Sequence, residues 1–117
     1  AQSHYARSVM QHLAAREWAG VIVELTAAPS AWHQLPHTYF GADGSEIGSA
    51  LSALVAIRPE ASWHAVGFSL GGTALLRWLN ETGCRAREYV DSAATVCAPT
   101  FLPATTTNLN RGFSRVY

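Results

Sequence analysis

Gly67-Phe68-Ser69-Leu70-Gly71-Gly72 falls where a strand pattern gives way to a helical one with no loop between them. Ser62 to Phe68 reads as an apolar strand. The residues after Ser69 place Leu75, Leu76 and Leu79 at helical spacing, and Gly83 supplies a natural C′ residue. A strand that turns straight into a helix calls for a parallel sheet with crossover helices on its faces. The rest of the chain repeats the alternation. Ser3 can cap a first helix carrying Tyr5, Ala6, Val9, Met10 and Leu13, which runs to about Glu17 before Gly20 breaks it. Val21, Ile22, Val23 and Leu25 follow as a short buried strand. Residues 27–44, with their prolines and glycines, read as a loop. Ser45 can cap a second helix whose inner face holds Ile47, Leu51, Leu54 and Val55, with Asp43 near its positive end and Pro59 as its stop. Tyr89 to Cys97 reads as a third strand, closed by Ala98 and Pro99. The expected fold class is a three-layer α/β/α arrangement around a parallel sheet, incomplete, with central strands and helices only. In such sheets chemistry gathers at the carboxyl ends of the strands, here near Thr26, Ser69 and Ala98.

The six-residue run has the form G-x-S-x-G-G, and its placement between strand and helix is the context of a nucleophile elbow. The turn forces the serine into a strained backbone conformation that projects its hydroxyl over the sheet. Side chains two residues to either side are expected to collide, which accounts for Gly67 and Gly71, while Gly72 lets the helix lie close to neighbouring backbone. Leu70 N–H belongs to the first helical turn, where donors are free and the dipole is positive, so it can hold the oxygen of a tetrahedral intermediate. The competing reading is a glycine-rich turn that binds nothing.

A serine needs a base. The five histidines His4, His12, His33, His37 and His64 all precede Ser69, and the carboxylates after it are Glu81, Glu88 and Asp91. Asp91 falls early in the third strand, at the end of the sheet away from Ser69, and reads as structural. A triad in the order serine, acid, histidine is therefore not completed within these residues, and the isolated chain is expected to be inactive and unstable alone. His33 and His37 read as ordinary loop residues because Pro36 opposes a helical i, i+4 metal pair. No cofactor or metal is expected. His64 reads as packed or hydrogen-bonded, Arg77 as a solvated residue, Trp32 as a candidate for lining an acyl pocket, and the other tryptophans as core and interface filling.

The formal net charge of zero, from eight arginines and eight acidic residues among 117, gives no basic face for nucleic acid. No apolar run reaches the roughly 18–20 residues of a bilayer span. Cys84 and Cys97 are too few for a disulfide framework or a zinc site, and read as reduced core thiols. The expected location is the cytoplasm, with membrane association of a longer protein left open.

These residues together resemble the YheT-like branch of the α/β-hydrolases, relatives of the abhydrolase-domain lipases and esterases. The resemblance runs over nearly the whole chain. Ser3-His4-Tyr5 looks like the segment after the family's oxyanion loop, and Arg16-Glu17-Trp18-Ala19-Gly20-Val21 is similar to its helix-to-strand passage. Val66 to Gly72 matches its elbow, Ala98-Pro99 ends the next strand, and Arg111 to Tyr117 looks like the start of its inserted helical region. Two stretches depart from the family pattern, Leu25 to Trp32 and Phe40 to Glu46. The resemblance implies that residues 1–117 are a central portion of a hydrolase domain, running into the cap region at about 101–117. It also implies hydrolysis of carboxylic esters or lipids without a metal, through Ser69 as nucleophile and Leu70 N–H as oxyanion donor. The acid and histidine would then lie outside this chain. The alternative is a non-catalytic α/β-hydrolase-like binding module or an inactive truncated copy.

Overall fold

The structure is a computed structural model and describes residues 4–25 and 44–100. Its elements are α1 (His4–Ala14), α2 (Gly44–Ile57), β1 (His64–Phe68), α3 (Leu70–Thr82), a 3₁₀ helix (Gly83–Glu88) and β2 (Ser92–Val96). β1 and β2 pair in parallel, with His64 opposite Ser92 and Phe68 opposite Val96. α3 is the crossover between them, as the strand-to-helix corner demands.

The core lies on the α3 side of the sheet. Leu51 from α2, Leu75 and Trp78 from α3, Ala86 and Val90 are buried together, and Ile47, Trp63, Ala65, Leu79 and Tyr89 pack against them. Gly44 and Gly48, one turn apart, face Trp78, and a Cβ on either would come within 2.9 Å of it. The missing side chains thus make the groove that lets α2 receive the indole. Burying side chains of this size contributes about 1.5–3 kcal/mol each. Tyr89 meets Trp78 edge-on at 6.0 Å.

Strand alternation puts His64, Val66 and Phe68 on the opposite face. α1 and the turn that follows it both reach that face. Tyr5 lies against Phe68, with ring centroids 5.1 Å apart, and Trp18 stacks on His64 at 5.5 Å. α1 therefore runs antiparallel to β1, starting at the strand's carboxyl end. None of its residues is buried.

Several expectations need correction. α1 stops at Ala14 rather than Glu17. Glu17 takes a left-handed conformation (φ 58°), its N–H donating to the Ala14 carbonyl while Trp18 N–H donates to that of Leu13. This paired closure is the one glycine usually makes, so no residue type there announces the stop. Gly20 lies against α1 instead, where a Cβ would come 2.6 Å from the Met10 sulfur. Ser45 is the second residue of α2 rather than its cap; Ser3 and Asp43 lie outside the described residues. Residues 21–25 form no strand, and Val21, Ile22 and Val23 are 42–56% exposed. Their composition suits burial on two faces, but a strand also needs a ladder partner, and the sheet of the described residues has two strands where three were expected. The last strand is shortened to Ser92–Val96 because residues 89–91 form the turn leaving the 3₁₀ helix, with the Tyr89 and Val90 N–H groups both donating to the Ala86 carbonyl. Cys84 and Cys97 are free and exposed rather than in the core, one on the 3₁₀ helix and the other just past β2.

Arg58 Nε donates to Glu60 Oε1 at 2.7 Å in the exposed turn after α2, holding the Glu60 carboxyl below its usual range. No helix among the described residues is long and apolar enough to cross a membrane.

Candidate functional site

The corner is built by the last residue pair of the sheet and the first turn of α3. Ser69 follows β1 directly, and its N–H donates to the Val96 carbonyl at 2.9 Å, extending the ladder one bond past the strand. Its carbonyl accepts from Gly72 N–H at 2.9 Å and Thr73 N–H at 3.2 Å, closing the first turn of α3. Between these obligations the backbone adopts φ 50°, ψ −123°. A non-glycine residue there stores about 1–3 kcal/mol of strain. The Ser69 side chain is exposed and makes no capping bond to the helix, so its hydroxyl is not spent on holding the turn. Leu70, 40% exposed, is the first residue of α3. Its N–H belongs to the turn whose amides lack intrahelical acceptors.

The crowded glycines are Gly67 and Gly72. A Cβ on Gly67 would lie 2.6 Å from the Gly72 Cα, and one on Gly72 would lie 2.8 Å from the Ala98 Cβ. Gly71, expected to share the crowding, has nothing within 4 Å of its Cβ position, because at that point in the helix the missing side chain points away from the sheet. The strand end is tied down as well. Thr73 Oγ1 donates to the Pro99 carbonyl at 3.0 Å, a bond that no motif spacing announced. Cys97, with φ 53°, follows β2 as Ser69 follows β1, so two strained residues end the two strands side by side.

Among the described residues no imidazole is hydrogen-bonded to the Ser69 hydroxyl. His12 Nδ1 pairs with the Ser8 carbonyl on α1. His64 Nδ1 is 2.9 Å from Ser92 Oγ under the Trp18 ring. This second serine–histidine pair stands at the amino ends of the strands, four residues and roughly 13 Å from Phe68. Asp91 is at that same end, its N–H donating to the Trp63 carbonyl at 2.8 Å. A depression of about 430 Å³ lined by Leu79, Cys84, Arg87, Val90, Asp91 and Ala93 also opens there, away from Ser69. Arg77 is exposed and pairs with Glu81 at 2.7 Å, one turn along α3. His33, His37 and Trp32 lie outside the described residues. No group of three or more His, Cys, Asp or Glu among those described is arranged to hold a metal.

Fold and corner together define a parallel α/β unit with an exposed, strained serine at a strand-to-helix turn. No protein-family model matches the chain, and no solved structure matches it. Over 118 aligned residues, 98% of its length, it is 33% identical to the “Putative esterase YheT” of Escherichia coli (strain K12). The chain spans about a third of that protein's length (33%). The likeness links the chain by sequence to an esterase-named protein.

Proposed function

We propose that this chain is the central portion of a serine hydrolase of carboxylic esters, of esterase or lipase type, within an α/β-hydrolase fold. Ser69 Oγ attacks the ester carbonyl and passes its proton to a histidine supplied from outside residues 1–117. Leu70 N–H donates to the oxygen that becomes negative in the tetrahedral intermediate. Collapse releases the alcohol and leaves the acyl group on Ser69, and water then attacks the acyl-enzyme to free the acid. The observation that carries this reading is the Ser69 backbone, held at φ 50° between the Val96 carbonyl and the first turn of α3 with its hydroxyl unspent. Strain of this kind persists where surrounding bonds over-determine it. The resemblance to an esterase-named relative supports the same chemistry.

The test is ester hydrolysis by the full-length protein. Ser69→Ala is expected to lower kcat/KM on a p-nitrophenyl ester by about 10⁴-fold or more, leaving only binding and oxyanion stabilisation. Unchanged hydrolysis in that variant sinks the proposal. Ester binding without turnover by the unaltered protein favours the non-catalytic binding module instead.

A further inference from the structure

The end of the sheet that holds Ser69 is walled by aromatic and aliphatic surface. Phe68, immediately before Ser69, faces α1, and the Tyr5 ring rests on it at 5.1 Å and a 36° tilt. Tyr5 stays 58% exposed despite this contact, and Leu70 and Val96 beside the corner are 40% and 42% exposed. No charged residue occurs from Ala65 to Leu76 or from Ser92 to Thr100, so neither strand end brings a charge of its own to the corner. We propose that the Tyr5–Phe68 pair is a specificity-determining wall that receives the apolar chain of the acyl half of the ester; this rests on the assignment of Ser69 as nucleophile. The acyl half is the one selected because it stays bonded to Ser69 while the alcohol leaves, so surface contiguous with Ser69 acts on it through both steps. Phe68 is fixed by the strand, and α1 carries Tyr5 onto it from near the start of the sequence. The wall is therefore assembled by the fold and cannot be read from either segment alone.

The test uses the full-length protein and p-nitrophenyl esters from acetate to octanoate, with the fluorophosphonate adduct at Ser69 followed in parallel. Each methylene seated on apolar surface is worth up to about fourfold in kcat/KM. Tyr5→Ala is expected to lower the octanoate-to-acetate ratio about three- to tenfold, and Tyr5→Leu to keep most of it. Should the alanine variant fail to fold, Tyr5→Gln against Tyr5→Leu tests the same ratio at similar bulk. A ratio unmoved by loss of the ring, with Ser69 still labelled, overturns the wall but leaves the nucleophile standing. In a parallel series of alkyl acetates from ethyl to octyl, an effect of Tyr5→Ala confined to the longer alcohols also overturns it. Loss of the adduct itself, or hydrolysis that survives Ser69→Ala, instead marks failure of the underlying assignment.

Discussion

The two faces of β1 differ among the described residues: the one under α3 is packed and the other is scarcely covered, while every residue of β2 is exposed. On the α3 side, Gly67 and Gly72 bring strand and helix backbones into contact, and Leu51, Leu75, Trp78, Ala86 and Val90 close over them. On the α1 side Tyr5 in the helix and Trp18 beyond its end touch the strand through their rings, and between them Val66 remains 54% exposed. Small residues permit close approach, and close approach is what turns apolar pattern into buried area. The rigidity needed to hold Ser69 at a strained φ therefore comes from the α3 side. The α1 side contributes surface, including the Tyr5 ring beside the corner.

This contrast can be broken by substitution in the full-length protein, read by denaturant unfolding. Trp78→Ala should cost most, about 3–5 kcal/mol, because it empties the centre of the packed side. Gly67→Ala and Gly72→Ala should each cost about 1–3 kcal/mol by overpacking. Gly71→Ala should leave stability unchanged or raise it by up to about 1 kcal/mol, the usual gain of alanine in a helix. Equal losses at all three glycines would show that the corner is not organised as described. Trp18→Ala should cost no more than about 1 kcal/mol, a stacking contact at a half-exposed site, and a loss matching that of Trp78 would mean that the α1 face is covered after all. A gain is also expected from Glu17→Gly, about 0.5–1 kcal/mol, by relieving the left-handed turn.

The legible parts of the sequence are those where one local rule decides. The corner at Ser69, the length of α3 and its end at Gly83 follow from glycine placement and helical spacing. The inner face of α2 follows from Ile47 and Leu51. What was illegible depended on neighbours. The run Val21-Ile22-Val23 has strand composition, but composition does not supply a ladder partner. Glu17 closes α1 in a conformation usually given to glycine, so the stop was invisible. Whether Gly67 meets Gly71 or Gly72 is a matter of which helical position faces the strand, and the motif alone treats both alike. The Tyr5–Phe68 contact, spanning about half of the chain, had no sequence signal at all.

The central claim is that the Ser69 hydroxyl is a reactive nucleophile. Full-length protein treated with a fluorophosphonate while folded, then digested and mapped by mass spectrometry, addresses it directly. The account predicts one phosphonyl adduct, on Ser69, absent after heat denaturation and absent in Ser69→Ala. An adduct on Ser92, the serine that does sit beside a histidine, or no adduct on the folded protein, would contradict it.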